Sequence, residues 1–323
     1  MWPQVRQVPL KYLAVALLFV VIGFALLTKL DPGNESAVQP RVFDLISADS
    51  PITSIELSQG DAGVFLALSD SGWRISHNEQ LEGYQVNPVK VVGLIRFIRS
   101  AKIIEKKTAR QEKLQSLGLS LQPDNSDVST PVLLSVSSAS VNERVLIGNR
   151  AQSGQGTYMR FPEKSQAWLV SGEVDLPVDV LEWLTPVFIN IDRADIARVK
   201  FVSPTGAEVI VSASDKTESA VIENMPEGAT LAYGSIADSA LASLINLRLL
   251  DVRRADQISW QDSAQADFDL VSGASILVRC VEQNGKYWVH VNRDGISDHW
   301  GYAVDEYRFS QLTKEMSDYI SPP

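Results

Sequence analysis

IARVKFVSPTGAEVIVS, residues Ile196 to Ser212, decides the fold because it has a counterpart earlier in the chain. ITSIELSQGDAGVFLALS, Ile52 to Ser69, carries the same pattern at an offset of 196 − 52 = 144 residues. Each consists of two stretches in which apolar and polar residues alternate, split by a Gly-containing turn. Successive side chains of a strand point to opposite faces, so this alternation marks strands with one buried face. An apolar-faced helical pattern then runs into a β-branched segment with a basic end, as VKVVGLIRFIRSAKIIEKK from Val89 and as IADSALASLINLRLLDVRR from Ile236. The chain therefore reads as one unit repeated, and WLTPVFINIDRADI, Trp183 to Ile196, closes the first copy and opens the second.

Both copies extend outward from these anchor points. In the first, GVFLALSDSGWRIS continues a meander around the Asp70-Ser71-Gly72 turn. Asn87-Pro88 then supplies an N-cap and a residue suited to the first helical position, because the N–H that proline lacks would be unpaired there. Val91, Leu94, Ile95 and Ile98 follow at helical spacing. VLLSVSS, ERVLIG, TYMRF and AWLVSG read as returning strands. The second copy continues through FDLVSG, SILVRCVEQ and YWVHVNR to RFSQLTKEMSDYI, which reads as one final helix. The expected class is α+β, with each unit an antiparallel sheet covered by a helix. The first unit is placed at 51–185 and the second at 186–323.

The N-terminus bears on location. Tyr12 to Thr28 contains no charged residue, and Leu10 and Leu30 extend the apolar run across Lys11 and Lys29. A membrane helix needs roughly 20 mainly apolar residues, and terminal lysines reach the interface. A cleaved signal peptide would have an apolar core of about 7–15 residues and a small-x-small site, whereas this run is longer and leaves through TKLDPG. Residues 1–30 are read as a cytoplasmic stub and uncleaved single-pass transmembrane anchor, and 31–50 as a tether. Arg6 and Lys11 precede the span and Asp31 and Glu35 follow it, so the positive-inside rule puts the N-terminus in the cytoplasm and exports the rest.

Composition excludes some partners. The 323 residues carry a net charge of −10. Setting aside the three positive charges of residues 1–30 leaves about −13 on the exported part, which repels phosphate backbones and argues against nucleic acid. Cys280 is the only cysteine, so neither an internal disulfide nor a multi-cysteine zinc site is available.

Ile-x-x-Ile before a turn and Gly-Trp, the helix after Asn87-Pro88, Leu117-Gly118-Leu119 before Pro123, Ile147-Gly148, Thr157-Tyr158-Met159-Arg160, and Trp183 through Ile191-Asp192 to Ile196 form an ordered series. This series resembles the DUF4340 family of bacterial membrane-anchored proteins, over about residues 50 to 310. The resemblance implies an accessory role beside an ABC-type or gliding-type transport system, with a permease and ATPase as partners. It implies no catalytic residues. The second copy lacks a clear Leu-Gly-Leu or Ile-Gly equivalent after its helix and is expected to be partly degenerate.

Local motifs add no chemistry. SGQGTYMR, Ser153 to Arg160, has the glycines of an anion loop, but a strand follows where a phosphate cradle needs a helix, so a hairpin is expected. HVNRDGISDHWG, His290 to Gly301, resembles a calcium loop around Asn292, Asp294 and Gly295, yet places His290 and Gly301 where acidic ligands belong; an Asp-Gly turn accounts for it. His77, His290 and His299 lack zinc spacing. Cys280 alternates with apolar neighbours as a small sheet residue. The basic run RSAKIIEKKTAR, Arg99 to Arg110, suits a helix C-terminus, with lipid headgroups or an acidic partner as the alternative. Trp73, Trp168, Trp183, Trp260, Trp288 and Trp300 are expected to pack in or beside strands.

No catalytic, cofactor or metal residue is therefore assigned, and no cofactor is expected. The expectation is a non-enzymatic inner-membrane accessory subunit with its bulk in the periplasm, compatible with a homo-oligomer. The alternative is a tethered small-molecule or polymer-binding module, or an envelope hydrolase, with a cleft between the repeats.

Overall fold

The computed structural model describes residues 40–44, 46, 50–122, 129–139, 141–152, 154, 156–214, 219–294 and 296–321. The predicted stub and anchor, and most of the tether, lie outside these residues. Among the described residues no helix is long and apolar enough to cross a membrane. Strand outweighs helix, in two large antiparallel sheets.

The first unit runs β1 (Ile52–Gln59), β2 (Ala62–Ser69), β3 (Gly72–Ser76), α1 (Pro88–Ser100), β4 (Ile103–Lys106), α2 (Gln111–Leu114), β5 (Val132–Ser138), β6 (Val141–Arg150), β7 (Thr157–Arg160) and β8 (Ala167–Val170). A short β9 (Val187–Ile189) leads into the second unit. That unit runs β10 (Ile196–Val202), β11 (Glu208–Ser212), β12 (Val221–Ile222), α3 (Ile236–Leu241), β13 (Leu247–Arg248), β14 (Asp251–Arg254), β15 (Ala264–Leu270), β16 (Ser275–Gln283), β17 (Lys286–Arg293), β18 (Ile296–Val304), α4 (Glu306–Leu312) and α5 (Met316–Tyr319).

The two sheets have the same strand order: β3-β2-β1-β5-β6-β7-β8-β4 and β12-β11-β10-β15-β16-β17-β18-β14. Even an irregularity repeats. The register of β1 against β5 shifts between Ile52 and Ser54, and that of β10 against β15 between Ile196 and Arg198. Ile52 and Ile55 are three residues apart and would face opposite sides of a regular strand. The bulge turns both into the core, where they are 3% and 0% exposed, and does the same for Ile196 and Val199.

The repeat begins earlier than the predicted boundary at 51. Val42, Phe43 and Ile46 are buried in the first core, so the end of the predicted tether is part of the fold. Ile103 N–H donates to the Pro40 carbonyl at 2.8 Å, and Leu249 N–H donates to the Pro186 carbonyl at 2.8 Å. Arg41 pairs with Lys102 as Val187 pairs with Arg248. The ends match as well. Val86 bridges Leu184 and Leu231 bridges Ile320, with Asn87 N–H donating to Trp183 O and Ala232 N–H to Tyr319 O. Trp183 and Tyr319, at 1% and 0% exposure, are thus equivalent plugs.

The helices differ more than the sheets. Asn87 caps α1 by accepting from Val89 N–H at 3.0 Å, and Val91, Leu94, Phe97 and Ile98 bury its inner face. In the second unit only six residues form α3, although Ile236, Ala237, Ala240 and Leu241 still cover the sheet. The predicted final helix is two: Asp305 caps α4, and Glu315 restarts the chain with a capping box on α5. This break lets Tyr319 turn into the core and Ile320 pair with Leu231.

One core crosses between the units. Leu249, Val252 and Tyr302 of the second unit are buried in the first unit's cluster, and Phe188 packs against both clusters. Burying each such side chain contributes roughly 1.5–3 kcal/mol, so the two sheets are held together as a domain core would be.

Candidate functional site

A cleft of about 330 Å³ opens where the units meet, lined from the first by Arg74, Tyr84 and Gln85, from the connection by Thr185, Val187 and Phe188, and from the second by Asp298, Trp300 and Tyr302. Alternation in β18 puts Asp298, Trp300 and Tyr302 on one face of the strand, and pairing with β14 sets Trp300 beside Arg254 and Tyr302 beside Val252. Tyr84 is fixed from the opposite side. Ile75 N–H donates to its carbonyl, and Arg74 bridges Gln85, which extends the edge of β3.

The aromatic rings form a connected wall. Tyr84 meets Trp300 edge-on at 4.9 Å and 73°, while Phe188 stacks on Tyr302 at 4.2 Å and 7°. The Arg254 guanidinium lies 5.3 Å from the Trp300 ring centre.

The two charged groups lining the cleft are already engaged. The Tyr302 hydroxyl donates to Asp298 Oδ2 at 2.6 Å, and Trp300 N–H donates to Oδ1 at 3.3 Å. Arg74 donates through Nη1 to the Gly83 carbonyl at 3.0 Å and through Nη2 to Ser71 Oγ at 2.8 Å. Burial, with the Asp298 charge added, pushes the Tyr84 phenol up to about 12, against the opposing pull of its hydrogen bond with Tyr302. Burial raises Tyr302 further still, helped by Tyr84 and by donation to Asp298. Both phenols are therefore neutral hydrogen-bonding groups at neutral pH. A dyad of carboxylates for acid–base work needs a second acid beside the first; Asp298 is the one carboxylate lining the cleft among the described residues.

Of the residues singled out in the sequence, Trp300 lines the cleft, while the histidines, Cys280 and the glycine loop fall elsewhere. His77 is exposed and stacks on Phe65 at 4.2 Å, His299 is exposed, and His290 is buried with Nε2 2.9 Å from the Asp298 carbonyl. Among the described residues no group of three or more His, Cys, Asp or Glu is placed to hold a metal. Cys280 is buried in β16, and burial raises its thiol pKa. Of the glycine stretch, Thr157–Arg160 is β7, and Gly154 and Gly156 lie between β6 and β7, with Gly154 N–H donating to Ala151 O and Ala151 N–H to Gly156 O. Asp294, after β17, is tied to the start of β16: its Oδ1 accepts from Ser275 N–H at 2.8 Å and its own N–H donates to the Ser275 carbonyl.

The basic run spans the end of α1 and β4, an edge strand of its sheet. Lysines on an edge discourage pairing with other chains, and Lys107 pairs with Glu105 at 2.7 Å. Of the tryptophans among the described residues, Trp183 and Trp288 are buried and Trp73, Trp168, Trp260 and Trp300 half-buried; of these only Trp300 lines the cleft.

Of the family-like motifs, Ile52, Ile55, Ile147, Met159 and Trp183 belong to the inner core of the first sheet, while Leu117-Gly118-Leu119, Gly148 and Arg160 meet on its outer face. Leu114, Leu119, Leu146 and Ala167 form a second small cluster there. Gly118 adopts φ 68°, and Gly148 lies so close to the Leu117 and Gly118 carbonyls that a β-carbon would collide with both. Arg160 seals this packing: its Nε donates to Leu119 O at 3.2 Å and its Nη1 to the carbonyls of Pro162 and Lys164. The second unit solves the same problem with other residues. Ile258, Trp288 and Ala303 form the equivalent outer cluster beside Trp260.

The sequence profile of a family described as "Domain of unknown function (DUF4340)" matches residues 47–270. No curated protein and no solved structure matches the chain.

Proposed function

The chain belongs to the DUF4340 family, and on that footing we propose that it is a membrane-anchored extracytoplasmic accessory subunit of an ABC-type transport system, acting by protein contact. The observation that carries this reading is the shared core. Leu249, Val252 and Tyr302 lock the second unit onto the first, which suits a rigid scaffold better than a pair of lobes that close on a substrate. The charge-free run Tyr12–Thr28, with Arg6 and Lys11 before it and acids after it, supports an inner-membrane anchor with the N-terminus inside. On α1, Val89 and Val92 present apolar side chains at 78% and 54% exposure, contact area of the kind a partner covers. In this reading the domain performs no reaction.

Treating intact cells with a membrane-impermeant amine crosslinker, followed by mass spectrometry, tests location and contact together. Crosslinks from lysines of residues 40–321 to extracytoplasmic parts of a permease are expected. Crosslinks to cytoplasmic proteins only, or protection of every lysine until the cells are lysed, would overturn the reading.

A second reading is favoured by the inter-unit cleft: the same scaffold holds a small ligand between its repeats. Asp298, already accepting from Tyr302, gives little support to the hydrolase variant of that reading.

A further inference from the structure

We infer that the inter-unit cleft is a saccharide-binding site that takes a neutral pyranose ring, resting on the reading that the cleft holds a small ligand. Arg74 spends both terminal nitrogens on Gly83 and Ser71, and Asp298 accepts from Tyr302 and Trp300. The opposite charges of these two lining groups balance, and the third charge nearby, the Arg254 guanidinium, lies against the Trp300 ring and does not line the cleft, so no unopposed charge lines it. Among the described residues, the Gln85 amide and the Thr185 hydroxyl line the cleft, are exposed, and have no side-chain hydrogen bond. Both can donate and accept, as sugar hydroxyls do.

The apolar side of the site points the same way. Trp300 is half-buried at the cleft, and its ring neighbours are Tyr84, edge-on, and the Arg254 guanidinium. Arg254 takes one face of the indole; in this proposal the other electron-rich face attracts the polarised C–H groups on one face of a pyranose, while the hydroxyls around the ring reach neutral polar partners at the rim. A planar nucleobase is served best by two parallel rings that sandwich it. Here Tyr84 stands at 73° to Trp300, and the parallel pair, Phe188 and Tyr302, is already in mutual contact. The volume of about 330 Å³ lies at the lower end for ligand sites and suits one ring of a small or polymeric glycan. The site depends on the fused units, since Tyr84 and Trp300 come from different repeats.

The test is isothermal titration of the purified full-length chain in detergent with glucose, galactose, N-acetylglucosamine and their β1,4-linked disaccharides, alongside glycine, adenosine and inorganic phosphate. Saturable binding of at least one sugar is expected, weakened about tenfold or more by Gln85→Ala and by Trp300→Leu. Gln85 is exposed, so its substitution leaves the fold intact even where loss of Trp300 does not. Sugar binding unchanged in Gln85→Ala and in a folded Trp300→Leu would overturn the site. Binding of glycine, adenosine or phosphate but of no sugar would overturn the saccharide assignment while leaving the ligand reading standing. Binding of no probe, with the protein folded, would overturn both.

Discussion

Arg160 is the residue on which the outer packing of the first unit turns. Its guanidinium satisfies three carbonyls, those of Leu119, Pro162 and Lys164, and burial lowers its pKa without removing its charge. Arg160→Ala strands those acceptors and is expected to cost about 2–4 kcal/mol in urea unfolding, whereas Arg160→Lys restores little because an ammonium cannot reproduce the fork. The phenols of the cleft give a pH signature. Tyr84 rises from about 10 in the unfolded chain to about 12 when folded. A raised pKa means that its contribution is fully present below pH 10 and is lost as pH climbs through 12. Absorbance at 295 nm should therefore show Tyr84, Tyr302 and Tyr319 ionising only with alkaline unfolding, and Tyr84→Phe should raise the unfolding pH. Early, reversible ionisation of all phenols in the folded protein would contradict the burial described. Cys280 should likewise resist a thiol reagent such as DTNB until denaturant is added.

At the scale of elements, the strands were legible and their neighbours were not. Ile52, Ile55 and Leu57 announce β1 by their own spacing, as Ile196, Val199 and Phe201 announce β10, because a half-buried strand writes its face into local sequence. The pairing of β1 with β5, across an intervening helix, has no local signal. Val42, Phe43 and Ile46 follow a polar run and show no period of their own, so no local signal marks them as part of the fold; the counterpart Pro186–Ile189 reveals them. Nothing between Leu312 and Met316 is a strong breaker, so the sequence pattern runs on as one helix, yet the chain breaks there and tertiary burial holds Tyr319 in the core. The outer faces of the two repeats differ in their residues: Val281 and Trp288 pair where Leu146 and Arg160 do, and Trp288 and Ala303 where Arg160 and Ala167 do. Gly148→Ala probes this level. A β-carbon there meets the Leu117 and Gly118 carbonyls, so a loss of roughly 2 kcal/mol or more is expected, read as a lowered urea midpoint. An unchanged midpoint would show that the outer turn can shift.

For the whole molecule, a cleft between the repeats could be expected from the duplication, but the residues that line it were out of reach of sequence reasoning for a physical reason. Tyr84 and Trp300 lie more than two hundred positions apart, and their contact at 4.9 Å exists only because the repeats share a core. That sharing predicts one cooperative unfolding transition, with tryptophan fluorescence and circular dichroism coinciding, and a split into two when Val252→Asp places a charge in the interface. Coincident transitions in the Val252→Asp variant would show that the interface does not couple the units. The central claim concerns what this rigid body serves. The most direct measurement is affinity purification of the full-length protein from its native membranes in mild detergent, with mass spectrometry of what accompanies it. The account predicts an ABC-type permease and its ATPase in stoichiometric amounts. Recovery of the chain alone, unchanged after crosslinking, would contradict it.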